Sequence, residues 1–164
     1  MLKQFPLHWF LLLAVTFALS CKCHKKHFTT TDSLSVKDNV THMAASIAAD
    51  VSAKGPVAWL KYFQDSPGFF MANDGQLAFH NYQSAKVFIQ DTLVKAISKI
   101  TLRWSNLRIC PLSPRIASIG SNFHEDITFA NGKIMPTDGY FSGIAILTSK
   151  GWQLQSCHWS AKNK

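Results

Sequence analysis

The second half of the chain is what most restricts its fold. From Thr101 onward, four apolar segments follow one another with little between them: TLRWSNLRICPLS, RIASIGSNFHEDITF, DGYFSGIAILTS and GWQLQSCHWS. Pro111 and Pro114 interrupt the first, and Asn131-Gly132 and Lys150-Gly151 supply turns. Strands joined by such short connections pair antiparallel, and their side chains alternate between two faces. A meander of this length has an apolar face that must be buried, so the preceding residues have to cover it.

Those residues read as helices. Ser33 or Ser35 can cap a helix carrying Val36, Val40, Met43, Ile47 and Val51, spaced by four, three, four and four residues. Gly55-Pro56 ends it, and Pro opens the short aromatic helix PVAWLKYF. GFFMANDGQLAFHN is a hairpin turned at Asn73-Asp74-Gly75. A third helix is predicted from about Gln83 to Ile100. The expected class is therefore α+β: three N-terminal helices and a hairpin packed on a curved, mainly antiparallel sheet. There is no internal repeat, no P-loop and no dinucleotide-binding glycine turn.

The N-terminus places the domain. MLKQFPLHWFLLLAVTFALSC has an early lysine, an apolar run and small residues before a cysteine, as a secretory signal does. Residues 1–20 are read as this signal, 21–34 as a tether and 35–161 as the folded domain. Ala18-Leu19-Ser20-Cys21 resembles a bacterial lipobox, which implies cleavage before Cys21 and lipid on its sulfur. The plainer alternative is a soluble secreted protein cut near Ser20. The lipid reading implies a bacterial envelope protein, anchored to the membrane through Cys21 and facing the periplasm. Cys21, Cys23, His24 and His27 match no closed zinc spacing, so neither metal nor cofactor is expected.

Charge excludes one function class. The formal net charge is +8, from 17 Lys+Arg against 9 Asp+Glu. Setting aside residues 1–32, Lys162 and Lys164 leaves 11 bases and 8 acids, a net of +3. The excess sits in the tether and tail, and no basic patch with interleaved aromatics points to nucleic acid. Cys110 and Cys157 lie in apolar segments and read as buried free thiols.

Strict alternation in the last strand sets Trp152, Leu154, Ser156, His158 and Ser160 on one face, with Gln153, Gln155, Cys157 and Trp159 on the other. Trp152 and Leu154 make the first face inward. His158 is then a base or hydrogen-bonding group in a pocket, or a core histidine bonded to backbone or Ser160. His124, Glu125 and Asp126 are the one dense titratable cluster in the strands, with His124 and Asp126 on one face and Glu125 on the other. A pair such as Asp126 with His124 or His158 could move a proton if held in apolar surroundings. The cluster could equally be a solvated strand end. No serine elbow or supported Cys–His arrangement offers a nucleophile.

The order of elements, the Gly-Trp-x-Leu start of the last strand and its closing His158-x-Ser160 resemble the NTF2-like superfamily, in particular SnoaL-like and DUF4440-type proteins. The resemblance covers about residues 35–161. Gln153 departs from it, standing where family members carry a basic residue. It implies a cone of helices and curved sheet around an apolar pocket, here expected to involve Trp104, Phe70, Tyr82, Tyr140, Trp152 and His158. It also implies a homodimer through the outer sheet face, with Trp159 covering the partner. The superfamily holds isomerases, cyclases and dehydratases beside non-catalytic binding domains, and fold alone does not choose among them. The first expectation is an envelope-tethered, non-catalytic domain that binds a small apolar ligand or a protein partner. The alternative is an enzyme of proton transfer or dehydration, with His158, Asp126, Glu125 and His124 as candidates. A structural subunit is a third reading.

Overall fold

The computed structural model describes residues 28–162. The signal, Cys21 and the tether as far as His27 lie outside the described residues. Helix α1 spans Thr30–Lys54, α2 Trp59–Tyr62, α3 Tyr82–Phe88 and α4 Val94–Ala96. The strands are β1 Phe70–Asn73, β2 Gln76–Phe79, β3 Ile97–Ser113, β4 Ile116–Phe129, β5 Ile134–Thr148 and β6 Gly151–Ala161.

Helix α1 starts earlier than the serines suggest. Thr29 is its N-cap, and Thr29 and Asp32 bond each other's backbone N–H in a capping box. The helix therefore takes in residues 30–34, which the sequence pattern assigns to the tether. Its buried stripe, Val36, Val40, Met43, Ala44, Ile47 and Val51, lies against β3. Two bonds fix that packing: Trp104 Nε1–H donates to Ala44 O at 2.9 Å, and Leu102 N–H to Ser52 Oγ at 3.0 Å. At its end, Asp50 accepts from Lys54 (2.9 Å), Lys61 (2.8 Å) and the Tyr62 hydroxyl (2.6 Å). These bonds, led by that from Lys61, hold the Asp50 carboxyl far below the usual range and tie α1 to α2.

The third helix is shorter than its apolar spacing suggests. α3 passes through a π turn at Ile89–Leu93 into the single turn of α4, and the chain is already strand at Ile97. Ile97 and Ile100 are three apart, which suits a helix, but pairing with Phe129 and Ile127 on β4 captures them.

The six strands form one curved, mixed sheet in the order β2-β1-β6-β5-β4-β3. The β1–β2 hairpin turns with Asp74 (φ 47°) and Gly75 (φ 78°) left-handed, as a tight hairpin turn requires. Its first strand pairs parallel with β6, Phe70 opposite Ser156 through Asn73 opposite Trp159. All other pairs are antiparallel. Gly139 permits a close crossing: a Cβ there would meet Ser160 O and, at 2.5 Å, the Phe123 ring.

The sheet's inner face carries the core. Phe123, Phe141, Ala145, Leu154 and Cys157 are buried there. Trp159 is the hub, with ring centroids 5.2 Å from Trp59, 5.7 Å from Trp104, 4.8 Å from Phe123 and 4.9 Å from Phe141. Trp159 is thus an inward group and not a cover for a partner on the outer face. Cys157 is buried, and burial pushes its thiol up to about 12. Cys110 is exposed, contrary to its reading as a buried thiol.

Candidate functional site

One residue reassigns the last strand. In the β5–β6 ladder Ile144 pairs with Ser156, but Ala145 pairs with Leu154. Gln155 is therefore an unpaired bulge residue and the alternation restarts beyond it. Residues directly opposite in a ladder share a face. Leu154 thus shares the inner face with Cys157 and Trp159. Ser156 and His158 lie on the outer face with Ile144 and Ser142. His158 is exposed, so its expected inward position beside Trp152 and Leu154 does not hold.

The same register places other expected pocket residues outside. Phe70 pairs with Ser156, and Tyr140 with Ser160. Phe70 is 48% and Tyr140 44% exposed. They flank an outer trough of about 560 Å³ with Arg108, Ser142, Ser156 and His158. Trp104 is on the inner face but packs into the core against Phe141 and Trp159. Tyr82 is partly buried beside α2, its hydroxyl 3.5 Å from Leu60 O. Trp152 is half-buried and lines neither space. Next to it, Gln153 is buried. Its Nε2 donates to Lys61 O (3.0 Å) and Phe63 O (3.2 Å), and its Oε1 accepts from Thr148 Oγ1 (2.9 Å). A long basic side chain has no such use there.

The cavity inside the cone is elsewhere. It holds about 400 Å³ between the inner sheet face, the hairpin and the helical segments. Trp59 and Phe63 come from α2 and its end, Met71 and Phe79 from the hairpin, and Phe88, Ile89 and Leu93 from the third helical segment. Ile97, Ile100, Ile127 and Trp159 complete the apolar wall, and the polar liners are Asn73 and Glu125. None of the six aromatic and histidine positions expected from sequence lines it. Its wall draws on segments distant in sequence, which no single local pattern brings together.

Glu125 is the exceptional group. It sits in β4 opposite Leu102 and Thr137, on the inner face, and is 8% exposed. No hydrogen bond to its carboxylate is found among the described residues. Desolvation pushes its pKa up from 4.5 to about 7, and the His124 charge offsets only part of this. The group is therefore poised between acid and carboxylate near neutral pH.

Its neighbours in sequence face the other way. His124 Nδ1 lies 2.7 Å from Asp138, its Nε2 lies 3.2 Å from Asp126, and Arg103 pairs with Asp126 at 2.9 Å. This chain crosses β3, β4 and β5 outside the cavity. The Asp138 and Asp126 bonds raise the His124 pKa, and the Arg103 bond leads the lowering of that of Asp126. An NMR titration should place His124 above 6.5, and Asp138→Asn should bring it down. An unchanged midpoint in that variant would show that the 2.7 Å contact does not hold in solution. The stabilisation this pairing gives is complete below the unfolded histidine pKa and fades as pH rises through the folded one.

No protein-family profile matches the sequence, and no curated protein sequence matches it. Solved structures do. An NTF2-like superfamily protein from Salmonella enterica aligns at 21% identity, covering 79% of this chain and 93% of its own, with a TM-score of 0.67. A putative scytalone dehydratase from Novosphingobium aromaticivorans aligns at 10% identity over 82% and 89%, with a TM-score of 0.72. A hexachlorocyclohexane dehydrochlorinase, LinA-type3 from Novosphingobium barchaimii, aligns at 8% identity over 82% and 92%, with a TM-score of 0.65. The resemblance spans nearly the whole of each neighbour. The chain has the NTF2-like fold.

Proposed function

We propose that this protein is a ligand-binding module whose cone holds a small, mainly apolar molecule oriented by Glu125. The observation that carries the reading is the cavity itself: an aromatic and aliphatic wall with one buried carboxyl group and, among the described residues, no His or Tyr lining it. Apolar walls with a few placed polar groups suit small ligands. Proton abstraction generally also needs groups that stabilise developing charge, and among the described residues Asn73 is the one polar liner besides Glu125. The test is a thermal-shift screen of flat apolar compounds against wild type and Ile100→Trp, which fills the cavity. Hits that persist unchanged in that variant would place the ligand elsewhere.

Glu125 also supports a second reading, an enzyme of proton transfer or dehydration. A carboxyl group near pH 7 in apolar surroundings has the properties of a general base. A putative scytalone dehydratase and a dehydrochlorinase, both named for elimination reactions, are among the structural neighbours and support this reading. Turnover of enone or hydroxy-ketone substrates that disappears in Glu125→Gln would establish this reading over simple binding.

The module works at the bacterial envelope in this proposal, facing the periplasm on lipid attached to Cys21. The Ala-Leu-Ser-Cys sequence and the basic stretch after it support the anchor. No helix among the described residues is long and apolar enough to cross a membrane. Native protein should have the intact mass of a chain beginning at lipidated Cys21, and Cys21→Ala should release it from membranes. An unmodified Cys21 would end the proposal. The partner we propose for the outer sheet face, where Phe70 and Tyr140 are exposed, is a second copy of the chain. Sedimentation should then show a dimer that Tyr140→Arg dissociates.

A further inference from the structure

The Glu125 carboxylate raises a question of complementarity. It is more than nine-tenths buried, it lines the cavity, and no donor among the described residues bonds it. The nearest positive group acting on it, His124, belongs to the outer face and is engaged by Asp138 and Asp126. A ligand that filled the cavity with hydrocarbon alone would leave this group desolvated and unpaired, which costs free energy in either protonation state. An anionic ligand would add repulsion. An ammonium group supplies donors and positive charge together.

The wall points the same way. Trp59, Phe63, Phe79, Phe88 and Trp159 surround the space. Aromatic faces attract cations, tryptophan most strongly, and the effect grows when water is excluded. An aromatic wall and an unpaired carboxylate are each compatible with other ligands. Together they favour one class.

We infer that the cone selects organic cations, molecules that join a flat apolar body to a protonated amine, with the amine seated on the Glu125 carboxylate. This rests on the cavity being the binding site. It adds the charge of the ligand, which neither the fold nor its structural neighbours specify. Because Glu125 is partly protonated near neutral pH, binding an amine releases a proton from the protein.

Calorimetry with three probes of one shape tests it: naphthylmethylamine, naphthylmethanol and naphthoate. At about pH 8 the amine should bind the full mature protein at least about tenfold more tightly than the alcohol, the factor that one charge-assisted hydrogen bond supplies. Naphthoate should bind most weakly. Glu125→Gln should abolish the preference for the amine over the alcohol. On wild type alone, amine binding at about pH 6 should release close to one proton, read from buffers of different ionisation enthalpy. An alcohol that binds wild type as tightly as the amine, or an amine preference that survives in Glu125→Gln, overturns the inference. If none of the three binds, the cavity reading itself falls with it.

Discussion

Replacing Glu125 by Gln is expected to stabilise the folded protein by about 3 kcal/mol at about pH 8 and to change it little at about pH 4. Removing a charged-residue contact usually costs stability, so the sign is the informative part. Burial raises the Glu125 pKa from 4.5 to about 7. Below the unfolded value both states hold the proton, and the glutamic acid sits in the cavity uncharged. As pH rises towards the folded value the unfolded chain gives up its proton first, so folding becomes less favourable. Above it, the native state carries an ionised group in poor solvent. Each pH unit between the two values is worth about 1.4 kcal/mol, which sets the magnitude. Glutamine is neutral throughout and has nearly the same shape. Denaturant unfolding of both proteins across this range provides the measurement. Equal stability at alkaline pH would mean that Glu125 is solvated or paired, and the cavity would lose its one special group.

Trp159→Ala should have the largest effect among single core truncations, about 3–5 kcal/mol. The indole touches four other rings, from α2, β3, β4 and β5, and forms part of the cavity wall. Its loss removes the piece that joins helices to sheet. Trp152→Ala is the internal control. That indole is half-buried at the far end of β6, and its change should move the denaturant midpoint less. A reversed order would show that β6 is anchored at its Trp152 end and not at Trp159.

The contrast between these two tryptophans marks what the sequence discloses. Turns were legible because their chemistry is local: Asp74-Gly75, Asn131-Gly132 and Lys150-Gly151 all turn the chain, each with a left-handed glycine. The stripe on α1 was legible because period is a property of the segment alone. The face of His158 was not. Gln155 is inserted between paired residues without a glycine or proline to mark it, and one inserted residue exchanges the faces beyond it. The helix end at Ala96 failed for a related reason, since β4 and not the local spacing decides the conformation of Ile97–Ile100. For Glu125, alternation did separate it from His124 and Asp126. Its depth depends on helices and a hairpin far away in the chain.

The parallel pairing of β1 with β6 has a consequence for the order of assembly. β1 is made early, yet its only neighbour besides β2 is the strand at residues 156–159. The hairpin therefore has no sheet to join until nearly the whole domain has been synthesised. Local pairs such as β3–β4 and β4–β5 can form first, at small loop-closure cost, whereas this contact spans more than half the chain. The wall supplied by Met71 and Phe79 arrives with it. The cavity wall is thus closed only when the last strand of the domain is in place.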